Sequence, residues 1–159
     1  MDISLRLQKF LSQKIKISKI QPKDLMLGTS LSRSTISKLL SAVLLNPNII
    51  TVIKIAIFFE CDIDEVLGRK KFIHRNKIHS YVPLTLNDIK SNLTAFLKIK
   101  LHQYNMTEYI LEKNCRLGSS TITHFINTDN NRMLSTKVIV KLADYFQISI
   151  DEMIGRINI

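Results

Sequence analysis

Leu31-Ser32-Arg33-Ser34-Thr35-Ile36-Ser37 and Leu117-Gly118-Ser119-Ser120-Thr121-Ile122-Thr123 decide how this chain is read. Set one above the other, they share Leu, Ser, Thr and Ile at matching positions. Two further blocks follow in the same order. Lys54-Ile55-Ala56-Ile57-Phe58-Phe59 falls above Lys141-Leu142-Ala143-Asp144-Tyr145-Phe146. Ile63-Asp64-Glu65-Val66-Leu67-Gly68-Arg69 falls above Ile150-Asp151-Glu152-Met153-Ile154-Gly155-Arg156. The offset is 86 residues at the first block and 87 at the last, so the second copy holds one extra residue in the loop between matched blocks. Self-similarity in three ordered blocks makes each copy a structural unit.

Outward from these blocks the pattern is helical. Ile3, Leu7, Phe10 and Leu11 recur at the spacing of one helix face, which predicts an amphipathic helix to about Lys16. Pro22 suits the first turn of a second helix, where its missing N–H costs nothing, and that helix should end near Gly28. Ser32 caps a third helix with Ile36, Leu39 and Leu40 inward. Pro47-Asn48 breaks the chain, and Ile49 to Phe59 forms a fourth helix. Asp62-Ile63-Asp64-Glu65 reads as a capping box for a short fifth helix ending at Gly68. In the second copy, Asn87, Thr107 and Ser135 are the expected caps of the first, second and fourth helices. The third starts near Ser119, Ser149-Ile150-Asp151-Glu152 is again a capping box, and Gly155 takes the position after a helix end. No strand alternation with hairpin turns is visible, so the expectation is an all-α protein.

Composition agrees. Four Gly and three Pro supply few turns of special geometry, which favours helices over many strands. The net charge of +10 raises affinity for polyanions without choosing among them. Residues 1–67 carry nine Lys/Arg against six Asp/Glu, residues 68–80 five against none, and residues 81–159 nine against seven. The excess therefore sits between the copies. The expected organisation is a first domain at 1–68, a basic linker at 69–83 and a second domain at 84–159. Cys61 and Cys115 have no metal-ligand spacing and read as small buried thiols. No signal peptide or apolar run of membrane-spanning length is present, so a cytoplasmic, nucleoid-associated protein without membrane contact is expected.

The third-helix motif, the break at Pro47 and the Ile-Ala-x-Phe-Phe-x-x-x-Ile-Asp-Glu-x-Leu-Gly run together resemble the phage repressor and Cro family, also called the xenobiotic-response-element type. The resemblance covers most of both copies. It implies two tandem five-helix, lambda-repressor-like helix-turn-helix domains and a sequence-specific regulator of transcription, a repressor, that binds double-stranded DNA. Helix three of each domain would enter the major groove, whose width admits an α-helix. Carried over by position, the DNA-binding residues are Ser32, Arg33, Ser34, Ser37 and Lys38 in the first copy, and Ser119, Ser120, Thr123 and His124 in the second. Arg33 suits the bidentate contact to guanine. In the linker, Arg69, Lys70, Lys71, Arg75 and Lys77 are candidate phosphate contacts.

Departures from the family pattern favour the first copy as the reader. Met26 and Glu112 stand where a small Ala is usual, and Ser30 and Arg116 where Gly is usual. Glu108 places an acid at the start of helix two, where it would repel phosphate. A competing reading makes one or both domains protein-interaction modules, as in an antitoxin or adaptor, with a homodimer or a protein partner engaged through the second domain. His74 and His79 read as linker residues and His102 as a helix-face residue. No cofactor or metal is called for. An enzyme is not expected, because no Gly-rich phosphate loop, Ser/His/Asp signature or metal-ligand spacing is present. The paired acids Asp64-Glu65 and Asp151-Glu152 are assigned to helix starts, where the dipole favours them.

Overall fold

The computed structural model describes residues 2–74, 80–129 and 132–157, and every regular element among them is helical. The chain divides into two compact units, residues 1–75 with 135–137 and residues 76–134 with 138–159. The first holds α1 (Ile3–Ser18), α2 (Pro22–Thr29), α3 (Arg33–Leu40), α4 (Ile49–Phe58), α5 (Ile63–Val66) and a single 3-10 turn at Lys70–Phe72. The second holds α6 (Leu86–Gln103), α7 (Glu108–Asn114), α8 (Thr121–Asn127), α10 (Ile150–Met153) and all but the first two residues of α9 (Thr136–Phe146).

In the first unit, Asp2 Oδ1 accepts from the backbone N–H of Ser4 (3.0 Å) and Leu5 (3.3 Å), which starts α1. Leu7 and Leu11 are fully buried, and the helix runs two residues past the expected Lys16. Pro22 opens α2 as its spacing predicts. The helix ends near Gly28, as expected. It continues through Thr29, and Ser30 takes the left-handed conformation with φ 55°. Gly28 serves another purpose: a Cβ there would lie 2.2 Å from Cε2 of Phe58, so the glycine admits an aromatic ring against the helix backbone. Ser32 caps α3 by accepting from Thr35 N–H (3.1 Å), and Asn48 caps α4 by accepting from Ile50 N–H (2.9 Å).

The second unit repeats the order of helices with different punctuation. Thr85, not Asn87, caps α6. Its Oγ1 accepts from Asp88 N–H (3.2 Å) while its own N–H donates to Asp88 Oδ2 (2.7 Å). This reciprocal pair satisfies two otherwise orphaned donors, so the helix starts earlier than expected. Thr107 caps α7 by accepting from Ile110 N–H (3.3 Å). The third helix of this unit, α8, begins at Thr121, two residues past Ser119, after Ser120 turns left-handed with φ 62°. Ser149 caps α10 through Glu152 N–H (3.0 Å). The corresponding Asp62 makes no side-chain cap to α5. Its Oδ2 instead accepts from His74 N–H (2.7 Å), which the chain delivers as it turns back after α5.

Internal contacts recur at the same offset. Arg6 Nη1 donates to Leu67 O (3.3 Å), and Asn92 Nδ2 donates to Ile154 O (2.9 Å). Phe10 and Phe59 meet edge-on at 5.6 Å and 87°, Phe96 and Phe146 at 5.5 Å and 86°. Lys14 lies 5.4 Å from the Phe10 ring and Lys100 5.7 Å from the Phe96 ring. Lys19, Ser30, Glu60 and Gly68 have positive φ, as do Asn105, Arg116, Gln147 and Gly155.

Each unit also closes on a buried ion pair. Asp64 and Asp151 are fully buried, and each accepts from an arginine five residues on, Arg69 and Arg156, the latter at 2.7 Å. These aspartates therefore hold arginines as well as favouring the helix starts. A lost partner would leave a buried charge, at a cost of ~3–5 kcal/mol. Each guanidinium also stacks on an aromatic ring: Arg69 on Phe72 at 4.3 Å and Arg156 on Tyr81 at 3.9 Å. The linker reading of Arg69 is corrected by this burial, which takes its charge out of reach of a phosphate. Lys70 and Lys71 remain exposed, and Lys71 lies 5.5 Å from the Phe72 ring. Arg75, Lys77 and His79 lie outside the described residues.

Candidate nucleic-acid interface

Helix α3 has two faces. Ile36 and Leu39 are each 2% exposed and anchor it on the core. Ser32, Arg33, Ser34, Ser37 and Lys38 are all exposed, and the helical members share the outward side at spacings of one, four and five. Small hydroxyls between two cations leave room for a close surface to approach. Beside this face lies a groove of about 900 Å³ between α2 and α3, lined by Gln21, Lys23, Met26, Arg33, Ser37 and Leu40. Met26, bulkier than the expected Ala, is half-buried in its wall. Ser30 and Arg116 keep the left-handed backbone that the family pattern gives to Gly.

Helix α8 presents a different surface. Ser119 and His124 are exposed, while Ser120 and Thr123 are half-buried. Ser119 and Ser120 precede the helix, in the turn. The start of α8 is closed from within by Glu112 of α7, which is 4% exposed. Its carboxylate accepts from the backbone N–H of Ser120 (3.0 Å), Ile122 (2.7 Å) and Thr123 (3.2 Å). Three donors that a phosphate could otherwise use are thereby satisfied. The residue pattern alone marked Glu112 only as a departure. The signal that would have identified its role is Gly118, which stands where Ser32 caps the first unit. A helix that lacks its cap needs another acceptor, and an acid one helix earlier supplies it.

Both cysteines are buried, and burial pushes the Cys115 thiol up to about 11, against a smaller opposing pull from Lys141. Among the described residues no helix is long and apolar enough to cross a membrane.

Residues 7–71 match the family model described as the Cro/C1-type HTH DNA-binding domain. The chain is 37% identical over 79 residues to an uncharacterized HTH-type transcriptional regulator of Rickettsia prowazekii, a match covering 48% of this chain and 84% of the relative. It is also 37% identical over 73 residues to an uncharacterized HTH-type transcriptional regulator of Rickettsia conorii, covering 44% of this chain and 67% of the relative. No solved structure matches. With the matched segment spanning α1–α5 and the exposed α3 face at its centre, the chain belongs to the Cro/C1-type helix-turn-helix family of DNA-binding transcription regulators.

Proposed function

We propose that the protein is a sequence-specific repressor that reads double-stranded DNA chiefly through α3, with residues 84–159 forming a second helix-turn-helix domain whose α8 is a weaker reader. The observation that carries this reading is the exposed α3 face, where Arg33 and Lys38 flank Ser34 and Ser37 on a helix anchored by Ile36 and Leu39. Arg33 takes guanine O6 and N7 in the major groove, and Lys38 takes a guanine or a neighbouring phosphate. The serines accept or donate to either. Ser119, Ser120, Thr123 and His124 serve α8, without help from its backbone donors. Lys70 and Lys71 add phosphate contacts, with Arg75 and Lys77 as further candidates. Repression follows from occupancy of the operator.

The test is selection of bound fragments from a random duplex pool. Wild type is expected to enrich one motif, and Arg33→Ala with Lys38→Ala to erase it. Arg33→Ala alone should cost ~1–3 kcal/mol at one guanine position and relax specificity there. Equal binding by wild type and the double variant would overturn the assignment to α3.

The Glu112 cap supports a second reading, in which the second domain meets a protein or a second copy of the chain and does not touch DNA. Salt separates the two. Phosphate contacts make affinity fall linearly with log salt, by a slope of about −0.9 per contact. Under the first reading, removal of the second domain lowers that slope; under the second, the slope is unchanged.

A further inference from the structure

The groove between α2 and α3 is built from two kinds of residue. Met26 and Leu40 are half-buried and Ile36 is 2% exposed, and together they make an apolar floor. Lys23 of α2 and Arg33 of α3 are exposed, one cation from each wall. Among the described residues no acid lines the groove, and the acid next to Lys23, Asp24, accepts from Gln21 N–H at 2.7 Å. The volume of about 900 Å³ falls within the range of small-molecule sites, ~300–1,000 Å³. Nine residues line it, well short of the ~20–30 that each side of a stable protein interface presents. Met26 makes the floor adaptable, because an unbranched thioether fits irregular apolar partners. A duplex has little to lay on such a floor: phosphates need donors, and base edges offer apolar contact only at thymine methyls.

We propose that this groove binds a small apolar anion, a carboxylate with a hydrocarbon body, and that its occupancy releases the protein from DNA. The body lies on Met26, Ile36 and Leu40, and the carboxylate meets Lys23 and Arg33. Apolar area supplies the affinity, and the two cations select the sign of the head group. Arg33 cannot hold a carboxylate and a guanine at once, so ligand and duplex exclude each other. That exclusion rests on the reading of α3 as the DNA-contacting helix, whereas the site itself does not. The second unit carries the opposite chemistry at the matching positions. Tyr109 replaces Lys23, Ser119 replaces Arg33, and Glu112 replaces Met26, so both cations are gone and an acid stands in place of the thioether. The ligand is therefore bound by the first unit alone.

The experiment titrates decanoate, kept below its micelle-forming concentration, into the full chain isotope-labelled at its methionine methyls, with nuclear magnetic resonance as the readout. The Met26 resonance is the one lost in Met26→Leu. Decyltrimethylammonium carries the same tail with the opposite charge, and acetate the same head without the tail. Decanoate should shift Met26 saturably, and the other two should bind at least about tenfold more weakly. Lys23→Glu is a change at an exposed position and should weaken decanoate by about threefold to tenfold, while Lys23→Arg keeps the charge and should keep the affinity. With the selected duplex held at each protein's own Kd, decanoate should release it over the range that shifts Met26. Equal binding of decanoate and decyltrimethylammonium, or unsaturable shifts at several methionines, would overturn the site. A Met26 resonance that moves with protein concentration alone would put a second copy of the chain in the groove and overturn the small ligand. Saturable binding with the duplex still held would overturn the release. A chain that binds decanoate but selects no motif would overturn the α3 reading and the release with it, and leave the site standing.

Discussion

The two units start their third helices with opposite chemistry. In the first, Ser32 is the cap and Met26 lies in the wall of the groove between α2 and α3. In the second, Gly118 replaces the serine, and Glu112 replaces the methionine and takes over the capping from one helix away. The pairs change together, and the helix is kept both times. A hydroxyl cap satisfies one donor and leaves the rest of the first turn open to a ligand. A buried carboxylate satisfies three and adds a negative charge at the helix start. The start of a helix can therefore be left open by a neighbouring hydroxyl or closed by a carboxylate one helix away, and the difference lies in two positions, 32/118 and 26/112.

Breaking the closed form should have the largest effect. Glu112→Ala strands three backbone donors, one buried and two part-buried, and hydrogen bonds to a charged group contribute ~1.5–3 kcal/mol each, not additively. A loss of about 3–5 kcal/mol is expected, comparable to breaking a buried charged contact. Urea unfolding followed by circular dichroism checks it. Addition of Gly118→Ser should recover about 1 kcal/mol by restoring a side-chain cap. No recovery would mean that the turn at Ser120, with its positive φ, prevents a serine at 118 from reaching the helix.

A second exchange sharpens the comparison. Gly28 admits the Phe58 ring in the first unit. At the matching positions of the second unit, Asn114 Nδ2 donates to the hydroxyl of Tyr145 at 3.1 Å. Gly28→Asn alone should cost about 2–3 kcal/mol, because the ring must leave the helix backbone. Gly28→Asn with Phe58→Tyr should cost less than the two single changes together, by ~0.5–1.5 kcal/mol, if the second unit's solution can be transplanted. Thermal melts of the four proteins close the cycle. Strict additivity would show that the α2 and α4 backbones lie too close for it.

Periodicity made much of this legible. Ile36, Leu39 and the apolar stripe of α1 are where their spacing puts them, and all-helical structure follows from the same pattern. The exposed face of α3 is readable because it is local, confined to residues 32–38 and set by the anchors Ile36 and Leu39. What escaped was long-range. Arg69 reads as one more linker cation until its buried partner is seen, since a run of basic residues does not reveal which of them folds back. Gly28 reads as a helix end, because a sequence cannot distinguish a glycine needed for its dihedral angle from one needed for an approaching ring. Asn87 reads as a cap because Asn is a good one, but Thr85 and Asp88 satisfy two donors where Asn87 could satisfy one.

The left-handed turns allow a smaller test. Ser30 and Arg116 hold φ of 55° and 51° between the second and third helices of their units. A side chain there costs ~1–2 kcal/mol relative to glycine, offset in part by the greater freedom glycine gives the unfolded chain. Ser30→Gly and Arg116→Gly should each stabilise by about 0.5–1 kcal/mol in thermal melts. Equal gains would show that the two turns bear the same strain despite the different caps beyond them.

The smallest expected effect concerns Asp2 and Asp88, which stand 86 residues apart but start their helices differently. Asp2 is the cap of α1, and hydrogen bonds from the Ser4 hydroxyl and the backbone of Leu5 and Ser4 hold its carboxyl below the ordinary value of 3.8. Asp88 is the third residue of α6, held below the same value chiefly by the Thr85 hydroxyl and then by the Thr85 backbone. A carboxyl that ionises more easily when folded stabilises the protein above its unfolded value and loses that contribution as pH falls through the folded value. Both contributions should thus be complete at neutral pH and disappear below about pH 4. Asn is nearly as good a cap as Asp, so Asp2→Asn should leave neutral stability almost unchanged and flatten the acid limb. Asp88→Asn removes a charge that favours the helix N-terminus and weakens the return bond from Thr85, so it should lower neutral stability as well. Melting temperatures from pH 2.5 to 7 separate the two. If both variants match wild type at neutral pH and differ from it only in a flatter acid limb, the reciprocal box at α6 adds nothing to α6 at neutral pH beyond what the single cap of α1 provides.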